Sequence, residues 1–327
     1  MSTGNLDRGD FIKLGALASL GGVVSACGPA SADDLKTVNV LAVPTDGVKS
    51  LLYAQKANLF RKHGINASVV SMGSGAAIFA AVVGGAADIG SGSLFPVFAA
   101  YSRGLPLRII APASLYTSAN ADALLLVQKD SPIRSGRDLN GKTIGVDAIK
   151  DLYSVATRAW VDQHGGDGSS LKPVELKPSE QAGALESGRI DAAVFKTPFV
   201  TIAMDSGKFR LLGKPLDAIG PRFLVSAWVA SVDFITKNPA VATGFAQAMT
   251  ESAKYTNAHQ SETTDLVAAF TGQDAAQVGH GVRSITAESI TLADLQRPLD
   301  FALKYGIMDK GFDVTGLLAP SVPLGRR

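Results

Sequence analysis

Short segments of alternating hydrophobic and polar residues predict strands separated by helices. Thr37–Val43 alternates and is rich in β-branched residues, and Ile65–Ser71 has the same character. Between them the apolar spacing of Ser50–His63 predicts a helix, which Gly64 would end. The alternation continues with a helix opened by Gly73-Ser74-Gly75 and ending near Val83, a strand at Asp88–Gly90, a helix ending at Arg103-Gly104 and a strand at Leu107–Ala111. This order predicts βαβ units around a mainly parallel sheet.

The same pattern recurs 103 residues later, which predicts two similar α/β lobes. The matching pairs are Val40-Leu41-Ala42-Val43 with Thr143-Ile144-Gly145-Val146, Gly85-x-x-Asp88 with Gly188-x-x-Asp191, and Gly104 with Gly207. Sequence identity between the copies is slight, but all of the matches share one offset. The segment 240–320 is predicted to be mostly helical and to pack on one lobe.

Two extended apolar stretches, Ala121–Gln128 and Phe223–Val232, are predicted to connect the lobes as a two-strand hinge. The alternative is that both are core strands of one large sheet. The hinge assignment places lobe 1 at residues 37–124 and 226–327, and lobe 2 at 125–225. Ligands commonly bind at such a domain interface.

The N-terminus resembles an export signal. Leu14–Val24 is a short apolar segment, and Val24-Ser25-Ala26-Cys27 resembles a lipobox. We predict a signal peptide at 1–26, lipidation of Cys27 and a tether at 27–36, which would anchor the protein at the periplasmic or outer face of a membrane. The alternative is a chance thiol. Asp7–Lys13 resembles a twin-arginine motif with Gly9 in place of the second Arg, so the export route stays open.

Composition excludes several function classes. The 327 residues include 31 Lys and Arg and 29 Asp and Glu, and this near balance of charge argues against a nucleic-acid binder. One Cys and four His without metal-ligand spacing argue against a metal site, and no cofactor is predicted. Outside the N-terminus no apolar run approaches the roughly 20 residues of a membrane span.

Four motifs resemble the NMT1/THI5-like and SsuA-like substrate-binding proteins of ABC importers. They are Leu59-Phe60-Arg61-Lys62-His63-Gly64-Ile65, Gly85-Ala86-Ala87-Asp88-Ile89-Gly90, Lys129–Val146 (KDSPIRSGRDLNGKTIGV) and Ala184-Leu185-Glu186-Ser187-Gly188-Arg189-Ile190-Asp191-Ala192-Ala193. The resemblance runs from about residue 38 to 260. It implies the two-lobed, two-hinge fold of type 2 periplasmic binding proteins, a non-enzymatic role, and a membrane permease as partner of a monomer.

In lobe 1, polar residues follow the predicted strands, where ligands of open α/β sheets bind. The amides of Gly73-Ser74-Gly75 at a helix amino terminus can meet an anion, with a helix cap by Ser74 as the alternative, and Asp46 would bind an amino group or cap a helix. The candidates are Thr45, Asp46, Gly73, Ser74, Gly75, Ser91, Ser93 and Ser114. Gly136–Thr143 satisfies the P-loop pattern but precedes a strand instead of leaving one, so nucleotide binding there is rejected.

In lobe 2 the candidates are Asp147, Lys196 and Thr197, and Trp228 is added as an apolar cleft wall. Many members of the resembled family carry Trp-Glu-Pro or Trp-Asp-Pro where this chain has Lys196-Thr197-Pro198. The change favours an anionic ligand over a thiamine precursor. The alternatives are that Lys196 points to solvent and that Trp228 belongs to the core.

The resulting hypothesis is a lipid-anchored solute-binding protein that captures a small organic anion, a sulfonate or carboxylate, between two lobes. The alternatives are a thiamine-pyrimidine-precursor or nitrate-type binder of the same family, a THI5-like pyrimidine synthase, and a sensory domain.

Overall fold

The computed structural model describes residues 35–73, 75–197 and 199–325. The predicted signal peptide, the lipidation site Cys27 and most of the predicted tether lie outside this range, as does Ser74.

Thirteen strands and twelve α-helices make up the described part of the chain. The strands are β1 (Lys36–Ala42), β2 (Ile65–Ser71), β3 (Ile89–Ser93), β4 (Leu107–Pro112), β5 (Ser114–Thr117), β6 (Ala123–Gln128), β7 (Thr143–Val146), β8 (Lys172–Glu175), β9 (Ala192–Lys196), β10 (Phe209–Gly213), β11 (Arg222–Leu224), β12 (Ser226–Ser231) and β13 (Ile285–Thr286). The helices are α1 (Lys49–Lys56), α2 (Leu59–Lys62), α3 (Gly75–Val83), α4 (Leu94–Ser102), α5 (Leu152–Gln163), α6 (Pro178–Glu186), α7 (Phe199–Asp205), α8 (Val232–Lys237), α9 (Pro239–Ala258), α10 (Thr264–Thr271), α11 (Ala275–His280) and α12 (Leu292–Lys304).

Two five-stranded sheets share one topology, which confirms the two similar lobes. The sheet of lobe 1 has the order β2-β1-β3-β12-β4, and the sheet of lobe 2 has the order β8-β7-β9-β6-β10. In each, the first three strands are parallel, and the fourth runs antiparallel to both of its neighbours. The sequence repeat therefore reflects the same strand order built twice.

A third, small sheet of order β11-β5-β13 joins the lobes. Its strands β5 and β11 pair antiparallel, and each leads from the sheet of one lobe toward that of the other. The two-strand hinge is thus present, but the predicted segments were placed too late in the chain. Ala123–Gln128 and Ser226–Ser231 are core strands of the two lobes, because their mainly apolar side chains are buried inside the sheets. The connecting strands are Ser114–Thr117 and Arg222–Leu224, and the predicted segment Phe223–Val232 includes two residues of the second.

The helix predicted over 50–63 is two helices, α1 and α2. Asn58 lies between them with a φ of 56°, in the left-handed region that Asn tolerates better than most residues. The turn redirects the chain so that Phe60 reaches the core and stacks on Phe245 of α9, with ring centroids 5.3 Å apart. The long helix α9 thereby packs on lobe 1, as expected for the C-terminal helical segment.

Candidate functional site

The strands β1, β2 and β3 are parallel, so their carboxyl ends meet at one edge of the lobe 1 sheet. Thr45 follows β1 and is exposed, and Gly73 follows β2 and is also exposed. Ser93 ends β3 and directly precedes α4. The strand β4 runs parallel to β3, so it ends at the same edge, and the chain passes from there through β5 toward lobe 2. Of the residues predicted from the sequence, Thr45, Gly73 and Ser93 lie at this edge.

Two helices begin side by side at this edge. The backbone of Gly75, where α3 begins, lies close to Gly92: a Cβ on Gly75 would sit 3.8 Å from the Gly92 Cα. Neither α3 nor α4 has an acidic residue in its first turn, so the partial positive charge of each amino terminus is uncompensated by its own helix. The Oγ of Ser93 is buried and has no hydrogen-bond partner within the described residues. The edge therefore offers donors suited to an anion.

Asp46, at the start of the turn after β1, is buried and hydrogen-bonded to the segment 283–284. It is 2% exposed, and its Oδ1 accepts a 2.7 Å hydrogen bond from the Nε of Arg283, which is 5% exposed. Its Oδ2 accepts a 2.7 Å hydrogen bond from the backbone N–H of Ser284. Both carboxylate oxygens of Asp46, which was predicted to bind an amino group or to cap a helix, therefore accept hydrogen bonds from within the protein.

Lys49 and Asp122 complete a buried group of charges behind the cleft. Lys49 is 0% exposed, and its Nζ donates to the backbone carbonyl of Ser284. Burial lowers the pKa of Lys49 to about 8, with Asp46 opposing the shift. Asp122 accepts a 2.9 Å hydrogen bond from the Ser284 Oγ, and burial raises the pKa of this carboxyl.

On lobe 2, Asp147 and Lys196 form an ion pair. Their side chains are 22% and 28% exposed, and Gln181 donates a 2.8 Å hydrogen bond to the second oxygen of Asp147. The Lys196 Nζ lies 4.5 Å from the centroid of the Tyr153 ring, a cation–π contact. Lys196 is therefore held within its own lobe, and its charge is already balanced.

Asp151 and Tyr153 lie beside this pair at the start of α5. Asp151 caps the helix by accepting a 2.7 Å hydrogen bond from the Ser154 N–H. Burial raises the pKa of Asp151 to about 6, although the charge of Lys196 opposes the shift. Burial also raises the pKa of the Tyr153 hydroxyl well above its ordinary value, so that it stays neutral.

Thr197 makes contacts that link lobe 2 to other parts of the chain. Its backbone N–H donates to the carbonyl of Asp122 at 3.0 Å, and its Oγ1 donates to the carbonyl of Val282 at 2.8 Å. The turn after β9 is thus tied to the hinge and to the C-terminal segment, and the neighbouring Pro198 lies outside the described residues.

The remaining predicted residues have structural surroundings. Ser91 is 4% exposed and accepts from the Val43 N–H at 3.4 Å, and Ser114 is 9% exposed on a hinge strand. Trp228 has no exposed surface and packs edge-on against Phe245, with ring centroids 5.6 Å apart. The structure therefore places Trp228 in the core of lobe 1 and not on the cleft wall.

Several charged and aromatic residues of this region were missed from sequence. Arg283 and Lys49 lie 234 positions apart in the chain, and no local pattern connects them. Tyr153 had a detectable signal, because it follows the strand β7 by a short loop at the start of a helix. Within the described residues, no group of His, Cys, Asp and Glu could hold a metal ion, and no helix is long and apolar enough to cross a membrane.

Comparison with known protein families identifies the family to which the chain belongs. The family described as NMT1/THI5 like matches residues 47–263, more than half of the chain. The chain belongs to this family. A curated relative from Escherichia coli, named "Putative aliphatic sulfonates-binding protein", is 26% identical over 58% of this chain, and the alignment spans only 57% of that relative's length.

Solved structures show the same fold. The periplasmic aliphatic sulphonate binding protein SsuA from Escherichia coli superimposes with a TM-score of 0.73 at 20% identity, over 89% of this chain and 94% of SsuA. The desulfurization enzyme DSZB also superimposes, with a TM-score of 0.64 at 20% identity, over 87% of this chain and 96% of the enzyme. At these identities the structural likeness establishes the periplasmic binding protein fold, which binders and an enzyme share.

Proposed function

We propose that this NMT1/THI5-like protein is the solute-binding component of an ABC importer and captures a small organic anion, a sulfonate or carboxylate, between its lobes. The observation that carries the proposal is the pair of helix amino termini at Gly75 and Leu94, beside the unpartnered Oγ of Ser93. The relative and the SsuA structure, both named for aliphatic sulfonates, support the anionic class.

The anion would bind lobe 1 rather than Lys196. Lys196 is paired with Asp147, so an anion placed there would have to displace a carboxylate. Backbone N–H groups and a hydroxyl at the edge of lobe 1 need no such exchange. Ile149 and Val282 are 46% and 43% exposed near the lobe 2 turns, and they would contact an alkyl or aryl group attached to the anion.

Binding would close the lobes about the hinge strands β5 and β11. Closure removes water from the anion and strengthens its hydrogen bonds, and the closed form is the surface that a membrane permease would recognise. A dissociation constant near 1 μM corresponds to about −8 kcal/mol, which a few helix-terminal amides, a hydroxyl and an apolar contact can supply.

The site of action follows from the N-terminal sequence. Cys27 would be lipidated and the signal peptide removed before it, so the protein, which we expect to be a monomer, would be held at the periplasmic or outer face of a membrane. Treating cells with globomycin, which blocks lipoprotein signal cleavage, would accumulate a precursor, and Cys27→Ser would abolish the effect. Normal processing under globomycin would contradict lipidation.

A thermal-shift screen of protein refolded to remove carried-over solute tests the ligand class. The panel holds alkanesulfonates, aromatic and aliphatic carboxylates, nitrate, aminopyrimidines and sugars. A ligand at 100 times its dissociation constant adds about 2.7 kcal/mol to the free energy of unfolding, which raises the melting temperature measurably. A shift confined to organic anions supports the proposal, whereas a shift confined to aminopyrimidines would assign the thiamine-precursor class.

The same screen separates a binder from an enzyme. A stabilising solute is incubated with the protein and then examined by NMR. An unchanged solute agrees with binding alone, and a stoichiometric excess of product would assign an enzyme on this fold.

A further inference from the structure

A short segment of the C-terminal region contacts both lobes and the hinge. It comprises residues 280–286, and we call it the interlobe strap. It begins at the end of α11 and includes β13. Sequence analysis assigned this segment only to a helical region, and the proposed solute binding uses no more of it than the exposed side chain of Val282.

The strap is anchored deeply in lobe 1. Arg283 donates to Asp46 and, through its Nη2, to the Thr263 Oγ1 at 2.9 Å, and all three side chains are buried. Thr286 exchanges two hydrogen bonds with the side chain of Asn257 on α9, at 2.8 and 3.0 Å. These contacts are buried and numerous, so the strap moves with lobe 1.

The strap also runs along the first hinge strand. Ile285 pairs with Leu115, and Thr286 pairs with Ser114, in an antiparallel register. Further along the same connection, the Nδ2 of Asn120 donates a 2.9 Å hydrogen bond to the carbonyl of Arg283. The hinge strand is therefore held against the strap through much of its length.

The contacts of the strap with lobe 2 are few and more exposed. The carbonyl of Val282 accepts the Thr197 Oγ1 hydrogen bond, and Gly281 lies against the side chain of Thr201 on α7. His280 Nε2 lies 3.2 Å from the Asp205 Oδ2, and these side chains are 70% and 57% exposed. An exposed pair of this kind contributes little, so the Thr197 hydrogen bond and the Gly281 packing hold this end.

We propose that the interlobe strap is a positioning element that sets the distance between the lobes before any solute binds. Its base is fixed in lobe 1, and its tip holds the Lys196-Thr197 turn of lobe 2 at the cleft. Gly281 and Thr197 are its positioning residues. Gly281 has ordinary backbone angles, φ −84° and ψ 171°, so glycine is needed there for its missing side chain and not for its conformation.

The test compares the interlobe distance of the Gly281→Ala variant with that of the wild type, both as the full chain. A Cβ on Gly281 would clash with the Thr201 Oγ1, although the backbone accepts alanine. Spin labels on cysteines introduced at exposed Ala57 in lobe 1 and exposed Lys177 in lobe 2, with Cys27→Ser, report the interlobe distance. If the strap sets the interlobe distance, we expect Gly281→Ala to move or broaden the distribution of the distance between the two spin labels by more than about 2 Å without any solute present.

Two further variants make the result specific. Gly281→Ala combined with Thr201→Ala removes the clashing hydroxyl and is expected to return the distribution toward the wild type. Gly183→Ala, in a lobe 2 helix where a Cβ meets nothing within 4 Å, is the control and leaves the distance unchanged.

Thr197→Val keeps the shape of the side chain but cannot donate to the Val282 carbonyl. We therefore expect it to move or broaden the interlobe distance distribution as Gly281→Ala does. Thr197→Ser keeps the hydroxyl and is expected to give the wild-type distribution. If Gly281→Ala fails to fold, the Thr197 pair carries the test. Folded Gly281→Ala or Thr197→Val protein with the wild-type distance distribution would overturn the proposal. No solute enters the measurement, so its failure is distinct from a failure of anion binding.

Discussion

Asp46, Arg283 and Lys49 are charged side chains that have lost nearly all contact with water. Burial of a single charge is strongly unfavourable, and it is tolerated when opposite charges and hydrogen bonds surround it. Here each oxygen of Asp46 accepts hydrogen bonds, and Arg283 also donates to Thr263. These contacts hold residues 283–284 of the interlobe strap against lobe 1.

Arg283→Met removes one partner of the buried pair and leaves Asp46 without its bidentate donor. We expect a loss of about 3 kcal/mol in the free energy of unfolding, measured by urea titration. The control is Lys237→Met, which breaks an exposed pair with Asp233 on α8 and is expected to change stability by less than about 0.5 kcal/mol. Equal effects of the two variants would contradict the structural role of Arg283.

Asp147 balances Lys196, so the two residues are expected to act on anion binding in opposite directions. Asp147→Asn keeps an acceptor for Gln181 but frees the charge of Lys196, and it should tighten binding of an alkanesulfonate by roughly tenfold, about 1.4 kcal/mol. Lys196→Met should weaken binding. Titration calorimetry measures both, and weaker binding by Asp147→Asn would contradict this electrostatic role of the pair.

Asp151 gives stability a dependence on pH. Burial raises its pKa from 3.8 to about 6, so between these values the folded protein binds more protons than the unfolded chain. Its contribution to stability is therefore greatest at low pH and is lost as pH rises from about 4 to 6, by at most about 1.4 kcal/mol per pH unit.

Asp151→Asn removes this titration and keeps a good helix cap. Relative to the wild type, the variant should gain stability between pH 4 and 6 and show no further gain above that range, as measured by urea unfolding at each pH. Parallel pH profiles for the two proteins would contradict a buried Asp151.

Local sequence patterns revealed only part of the site. The loop residues after the strands were predictable because βα loops place polar residues at one sheet edge. The pairing of Asp46 with Arg283 was not predictable, because the two residues lie 237 positions apart in the chain. The sequence left the place of Trp228 open between a cleft wall and the core, since an aromatic residue on an apolar strand carries no signal that separates the two.

At the scale of elements, close packing of α3 on β3 depends on glycine. A Cβ on Gly92 would overlap the ring of Phe79, and one on Gly90 would overlap Ile78. Both apolar residues are buried on α3, the helix whose amino terminus forms part of the proposed anion site. The two glycines therefore allow this helix to lie flat against the sheet.

Gly92→Ala should cost about 1–3 kcal/mol of stability, because the ring of Phe79 must shift or the helix must move. Gly183→Ala, at an open position inside α6, should stabilise by about 0.5–1 kcal/mol, because alanine favours the helix. Thermal unfolding of both variants checks the pair, and stabilisation by Gly92→Ala would show that the packing is looser than described.

The strands β1, β2, β3 and β4 of lobe 1 were predicted, since their apolar runs end at glycines and polar turns. The break between α1 and α2 was not predicted, because the apolar spacing continues across Asn58 and the left-handed turn depends on packing of Phe60 against α9. The hinge was shifted for a related reason: the most apolar stretches are the buried strands β6 and β12, whereas the connecting strands β5 and β11 are short.

On the scale of the whole molecule, two sheets of one topology are joined by β5 and β11, and the interlobe strap pairs with β5. Lobe 1 offers two helix amino termini, and lobe 2 offers a balanced ion pair beside an aromatic ring. This asymmetry predicts that a solute is held at its anionic end by lobe 1 and covered by lobe 2.

Calorimetric titration of refolded, solute-free protein with butane-1-sulfonate and with butan-1-ol tests this account most directly. The two solutes share an alkyl chain and differ in the anionic group. The account predicts one-to-one binding of the sulfonate with micromolar affinity, weakened in Ser93→Ala, and no detectable binding of the alcohol. Equal binding of both solutes, or binding of aminopyrimidines but of no organic anion, would contradict it.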